Sequence, residues 1–392
     1  MQISDRGQYF GGHRGVILGY FPFSPRQLIA DIGALRNSMI RAHPATFTRQ
    51  EWGYLISFLA PSRLTSVYER SFGTFLDYPP DAGPDLIVVP RSPIGVWLPN
   101  NVSLMGPLVA ILLSLTGASI EIKSGSRSED LTRAFFQWLA GATDSDLLCQ
   151  AMSRVKIDAF SRLSERNGDM AERCKVRVVF GSDEAAEAIE KLPHPVQSRG
   201  FYFSNRSSEI WLDGDHDVAE LDDVLKVFMI YGRAGCTSPR RVVVLGNQRQ
   251  AEAIAESLAS GLEALRSGLS EMHRASSIIL DEQLARAREW RVFPDRASGA
   301  LIAAGRAGQP GPEGHFSLPV VWCEEAEALE TMNSNIQTVG LATRTDDAEL
   351  LKRLVKGGVS RIVPVARMHE FGPVWDSMLY WDACFDYVEV SV

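Results

Sequence analysis

The chain has 392 residues, 45% hydrophobic and 22% charged, with a formal net charge of −8. This gives a globular protein of two or three domains with ample core, and it excludes a disordered chain. The acidic balance and the lack of a long basic run exclude nucleic acid as the main partner.

The five cysteines, Cys149, Cys174, Cys236, Cys323 and Cys384, are scattered and form no CxxC pair. They read as reduced thiols in a cytoplasmic protein, not as a disulfide framework or a zinc site, and the histidines show no metal-ligand spacing. Met1 to Arg6 lacks the basic-then-apolar order of a signal peptide. Residues 1–84 carry little signal. Gly11 to Gly15 reads as a surface turn, Arg26 to Ala42 as a helix, Phe47 to Leu59 as a weaker helix, and Pro79 to Pro84 as a connector.

From Leu86 the pattern alternates strand and helix. Leu86 to Pro90 and Ile94 to Leu98 are apolar runs, followed by Asn100 and Asn101 and a helix through Leu115. The stretch Val102 to Ile120 approaches membrane-span length, but its Gly106, Pro107 and Gly117 make it a buried helix leading into a strand. Ala118 to Lys123 is that strand, with helices expected over 129–140 and 145–160. Val176 to Phe180 is another strand, and Gly181 and Ser182 open a helix to Lys191.

The second half repeats the alternation. Strands are predicted at Glu209 to Leu212, Arg241 to Leu245, Leu318 to Trp322, Gln337 to Thr343 and Ser360 to Val365. Helices are predicted at 218–230, 248–265, 326–333 and 346–356, with less regular helix to Trp290 and Gly/Pro-rich loop over 294–317. Such alternation gives an α/β fold, a mostly parallel sheet with helices on both faces, whose ligands bind at the carboxyl ends of the strands.

The stretch that organises the chain is Tyr231 to Arg240. Gly232 and Gly235 permit a sharp turn around Cys236, between a helix and a β-branched strand. The residues alone suit a displayed nucleophile and a small buried hydrophobe equally. The run Gly235, Cys236, Thr237, Ser238, Pro239, Arg240 resembles the nucleophile loop of the aldehyde dehydrogenase superfamily. It is closer still to the LuxC-type acyl-CoA reductases, and the resemblance runs from about residue 85 to the C-terminus.

The resemblance implies two α/β sheet domains. Residues 1–205 would form a Rossmann-like NADP-binding domain, with 366–392 returning to it or to an oligomerisation element, and 206–365 would carry the nucleophile. It implies reduction of an acyl thioester, delivered by coenzyme A or an acyl-carrier protein, to an aldehyde through Cys236. Asn101, or its neighbour Asn100, would donate to the oxyanion. Lys123 and Ser124 resemble the adenosine-ribose site. Ser126 stands where NAD-preferring members often have glutamate, and Arg127 follows, which suits the 2′-phosphate of NADPH. Gly181 and Ser182 resemble the pyrophosphate turn. Glu313, one position off the family's spacing, resembles a glutamate before a phenylalanine that contacts the nicotinamide ribose. Tyr202 stands where hydrolytic members carry their water-activating glutamate, so transfer to or from a thiol is expected instead of acid release.

The resemblance leaves two rival functions. One is CoA-dependent aldehyde oxidation. The other is an idle scaffold for an acyl-activating partner enzyme. Self-association is expected, and no metal or membrane span.

Overall fold

The computed structural model describes residues 17–19, 21–71, 86–99, 102–125, 131–215, 218–233, 235–264, 274–295, 300–343 and 348–389. By internal contacts it divides into two compact units, residues 1–204 with 371–392, and residues 205–370. The glycine-rich segment Gly11 to Gly15 and the connector Pro79 to Pro84 lie outside the described residues.

The first unit begins with β1 (Ile17–Gly19) and three helices, α1 (Pro25–Arg41), α2 (Arg49–Phe58) and α3 (Pro61–Ser71). Helix α1 starts where Ser24 accepts from the Gln27 N–H and Pro25 occupies the first turn, and its Leu28, Ile32, Leu35 and Met39 share a buried face. A capping box closes α2. Thr48 accepts from the Glu51 N–H while the Glu51 carboxylate accepts from the Thr48 N–H.

Then come β2 (Leu86–Pro90), β3 (Ile94–Trp97), α4 (Met105–Ser114), β4 (Ile120–Ser124), α5 (Thr132–Ala142), α6 (Asp146–Ser153), β5 (Val155–Ala159), α7 (Arg166–Arg173), β6 (Val176–Gly181), α8 (Asp183–Glu190) and β7 (Arg199–Ser204). Strands β5-β4-β3-β6-β7 form a parallel sheet in that order. Chain order reverses at β3, so the crevice between the carboxyl ends of β3 and β6 is the topological switch point. The apolar run after Asn101 is the buried helix α4. Among the described residues no helix is long and apolar enough to cross a membrane.

Two expectations need correction. The helix expected over 145–160 stops at Ser153, and Val155–Ala159 is the edge strand β5. The alternating Val155, Lys156, Ile157, Asp158 is a period-two pattern, and pairing with β4 satisfies its backbone where a helix would have had no wide apolar face.

The second unit contains β8 (Ser207–Asp213), α9 (Val218–Tyr231), β9 (Pro239–Leu245), α10 (Gln248–Ala264), α11 (Arg274–Ala287), β10 (Arg291–Asp295), β11 (Ala300–Arg306), β12 (Ser317–Cys323), α12 (Glu325–Glu330), β13 (Ile336–Ala342), α13 (Ala348–Lys356) and β14 (Arg361–Pro364). Its seven strands are ordered β10-β11-β12-β9-β8-β13-β14, all parallel except β10.

The loop expected over 294–317 instead contains the end of β10 and the whole of β11. Ala300, Ala303, Ala304 and Gly305 are weak strand formers read singly. Here their small size is what the site requires, because a Cβ on Gly305 would lie 2.4 Å from the Trp290 ring.

Strands β8 and β9 are buried on both faces. Ile210, Leu212, Val242 and Val244 pack with α9 and α10, while Trp211 and Val243 pack with Leu350 and Leu354 of α13. That explains their unbroken apolar runs. Each such side chain contributes about 1.5–3 kcal/mol on burial.

The chain then returns to the first unit through the hairpin β15 (Val374–Trp375) and β16 (Met378–Leu379) and the strand β17 (Phe385–Glu389), which pairs antiparallel with β2. Trp375 and Tyr380 stack at 4.8 Å and meet Phe203 of β7 at 5.3 and 5.9 Å. This cluster gives the apolar, tryptophan-rich tail its place.

Candidate active site

The chemistry-bearing residues fall into two groups, one in each unit, and each is described by itself. In the second unit the loop that carries Cys236 leaves α9 at Gly232. Its φ of +54° is a left-handed conformation, and a Cβ there would lie 2.4 Å from the His315 carbonyl oxygen. Only glycine serves. The Arg233 N–H donates to that same carbonyl at 2.9 Å, and the Ser238 N–H closes the turn on the Gly235 carbonyl at 3.0 Å.

Two side chains fix the turn from outside. The fully buried Ser208 donates to the Cys236 carbonyl at 2.7 Å and accepts from the Thr338 N–H at 3.2 Å. The Thr237 hydroxyl lies 2.7 Å from His369 Nδ1, and His369 Nε2 lies 2.8 Å from the Val227 carbonyl. A carbonyl only accepts, so Nε2 carries the proton and Nδ1 accepts from Thr237. Burial pulls the His369 pKa down to about 4, with the Val227 hydrogen bond opposing and the Arg361 charge assisting. Arg361 in turn donates to the Glu370 carbonyl at 2.8 Å and holds this segment against β14.

Cys236 is partly exposed on this turn, whereas Cys174, Cys323 and Cys384 are buried. Burial pushes the Cys174 thiol up to about 12 and the Cys323 thiol to about 11, and raises Cys384 as well. These three are inert core residues. Cys149 is exposed on α6.

Tyr202 lies in β7, its ring over Gly200, where a Cβ would meet the phenol at 2.6 Å. Burial raises its pKa, so it is no base near neutrality. The next carboxylate, Glu209, is 3% exposed and is committed to Arg241, at 2.9 and 3.1 Å, and to the Trp211 indole at 3.1 Å.

Glu313 is exposed. It lines a cavity of about 570 Å³ together with Arg233 and Arg240.

In the first unit, register places Trp97 of β3 level with Lys123 of β4 and Val179 of β6. Lys123 and Ser124 therefore emerge at the same carboxyl edge as Gly181 and Ser182, on either side of β3. Burial lowers the Lys123 pKa. Ser124 donates to the Asp158 carbonyl at 3.2 Å. Ser182 is the N-cap of α8, accepting from the Ala185 N–H at 3.4 Å, and Asp183 accepts from Ser204 at 2.6 Å.

Asn100, Asn101, Ser126 and Arg127 lie outside the described residues. Among the described residues no cluster suits a metal ion. Sequence reasoning missed Ser208, Arg240 and His369. The one signal was that Arg240 closes the run from Gly235 that resembles the nucleophile loop.

A family model described as "Acyl-CoA reductase (LuxC)" matches residues 47–275. No curated protein matches the chain significantly. Solved structures with the same fold include an NAD-dependent benzaldehyde dehydrogenase from Corynebacterium glutamicum, 14% identical over 94% of this chain and 85% of that one, TM-score 0.62. An oxidoreductase from Marinobacter aquaeolei is 14% identical over 93% and 84%, TM-score 0.62. A 1-pyrroline-5-carboxylate dehydrogenase from Thermus with bound NAD is 15% identical over 93% and 80%, TM-score 0.59.

Proposed function

Because the chain belongs to the LuxC family of acyl-CoA reductases and has the aldehyde dehydrogenase fold, we propose that it reduces an acyl thioester to an aldehyde with NADPH, through a thioacyl intermediate on Cys236. The observation that carries this reading is the partly exposed Cys236 on a turn fixed by Gly232, Ser208 and the Thr237–His369 pair. A nucleophile needs that combination of access and rigidity.

Cys236 as thiolate attacks the thioester carbonyl carbon. The carbon–sulfur bond to Cys236 forms, the bond to the carrier sulfur breaks, and that sulfur leaves as thiolate to take a proton from solvent. The Cys236 N–H and Asn101, or Asn100 beside it, hold the oxyanion, and one such donor is worth about 3–4 kcal/mol. A bound reduced nicotinamide supplies the hydride that takes the acyl group to the aldehyde level. Collapse of the resulting adduct then frees the aldehyde and returns Cys236 as thiolate. The engagement of Glu209 by Arg241 and the raised pKa of Tyr202 support thiol exchange over hydrolysis, since neither side chain is available to activate water.

The carboxyl edge of the first sheet fits a dinucleotide cofactor. The half-buried Lys123 ammonium has no hydrogen-bond or ion-pair partner among the described residues. Gly181 keeps the backbone bare at the start of α8, where N–H groups favour phosphate. Lys123, Ser124, Gly181 and Ser182 would hold its ribose and phosphates, Ser126 and Arg127 its 2′-phosphate, and Glu313 its nicotinamide ribose.

The test is NADPH oxidation over acyl-CoAs of graded chain length, with Cys236→Ala as control. Turnover with wild type and none with the variant is expected. Faster reaction of aldehyde, CoA and NADP+ would reverse the direction, and no turnover with any thioester would sink the reading.

A further inference from the structure

The cavity in the second unit holds more positive charge than its surroundings neutralise. Arg241 is matched by Glu209, but Arg233 and Arg240 are not so matched. Arg233 spends one N–H on the Pro312 carbonyl at 2.6 Å, and its buried Nε has no partner. Arg240 is partly buried and has neither a hydrogen bond nor an ion pair among the described residues. Among the described residues the exposed Glu313 is the one other carboxylate on the cavity wall.

Two guanidiniums so placed cost free energy unless an anion joins them, and their planar donor forks suit phosphate oxygens. The electrostatics agree. Burial and then the Arg240 charge pull Arg233 down to about 10 against the opposing charges of Glu313 and Asp281, while burial lowers Arg240 and the Cys236 charge raises it. Arg240 is thus within electrostatic reach of both the second arginine and the thiol.

We propose that Arg240 and Arg233 form an anion subsite, in the nucleophile's own unit, for the phosphate of the phosphopantetheine arm that carries the acyl thioester. This rests on the thioester reading for its ligand. A cavity of about 570 Å³ is of the size that takes a small-molecule arm folded back on itself, as the nearness of Arg240 to Cys236 requires. Coenzyme A carries this 4′-phosphate as half of a diphosphate and an acyl-carrier protein carries it as a phosphodiester, and both present anionic oxygens at the same place on the arm, so one subsite serves both donors. The arm's phosphate would anchor the thioester's far end while Cys236 meets the carbonyl, so binding energy remote from the reacting bond contributes to orientation.

The experiment uses Cys236→Ala protein, which cannot be acylated there, titrated calorimetrically with 4′-phosphopantetheine, with pantetheine and with NADPH. The phosphorylated arm should bind roughly 10- to 100-fold more tightly than pantetheine. Adding Arg240→Ala should remove that difference, adding Arg240→Lys should retain part of it, and melting curves would show that each variant is folded. In the wild-type background Arg240→Ala should raise KM for acyl-phosphopantetheine more than for acyl-pantetheine. Acyl-CoA and acyl-carrier protein should show the same KM penalty.

Equal binding of the two arms would overturn the proposal. So would loss of NADPH binding alone in Arg240→Ala, which would assign the cavity to the cofactor. A kcat loss with a shifted pH profile and unchanged binding would also overturn it, by making Arg240 a thiol-activating group. Tight binding of the phosphorylated arm without acylation of wild-type Cys236 would instead fail the thioester reading and leave the anion site standing.

Discussion

The carboxyl edge of the five-stranded sheet and the amino edge of the seven-stranded sheet work in different ways. At the first, Gly181 and Ser182 offer backbone and one capping hydroxyl, and Lys123 adds a single cation. At the second, Ser208 and His369 hold the turn before β9 by side-chain hydrogen bonds, and Arg233 and Arg240 line a cavity of the same unit. Backbone recognition tolerates side-chain change, whereas a turn held by single side-chain contacts does not. Substitutions at Cys236, Ser208 and His369 should therefore cost rate or fold, whereas those at the carboxyl edge of the first sheet, like those at Arg233 and Arg240, should cost affinity.

The sharpest way to break that contrast is Cys236→Ala. It should lower thioester reduction by roughly a thousandfold or more while melting stays near wild type. A comparable loss of kcat from Lys123→Ala would erase the distinction.

Glu209→Ala leaves the partly buried Arg241 guanidinium without its carboxylate and should destabilise by about 3 kcal/mol in urea unfolding. A loss below about 1 kcal/mol would place that pair among weak surface bridges.

The pH dependence of His369 sharpens the account of the turn. Its folded pKa, about 4, lies below its ordinary 6.5, so the unfolded chain binds the proton more readily. Its contribution is full above about 6.5 and is lost as pH falls through 6.5 toward 4, roughly 3 kcal/mol in all. Protonation also removes the acceptor for Thr237. In His369→Gln the drop in melting temperature between pH 7 and pH 4.5 should shrink, and an unchanged drop would assign the acid sensitivity elsewhere.

The smallest effect belongs to the cofactor edge. Arg127→Ala should reduce the NADPH-over-NADH preference in kcat/KM by roughly tenfold and leave kcat with saturating NADPH within about twofold.

Much of this was legible in the sequence where local pattern and burial agree. Val176 to Phe180 is buried throughout and Val242 to Val244 is a β-branched run buried on both faces, so both segments read as strands. Ala300–Arg306 reads as loop in the sequence because its strand form rests on pairing with β10 and β12 and on Trp290 packing against Gly305, contacts the local sequence cannot show. Val155–Ala159 was hidden for a related reason, since its alternation is short and its partner is β4. The nucleophile loop was visible because glycine, cysteine and proline sit together in the chain. Its supports were not, because Ser208 and His369 reach it from 28 and 132 residues away.

The central claim is that Cys236 becomes covalently acylated during turnover. Its most direct measurement is the intact mass of the protein quenched after mixing with a long-chain acyl-CoA in the absence of NADPH, followed by peptide mapping. The account predicts one added acyl group, located on the peptide bearing Cys236 and discharged when NADPH is added. An unmodified protein that still turns over acyl-CoA, or an acyl group found on Cys149 instead, would contradict it.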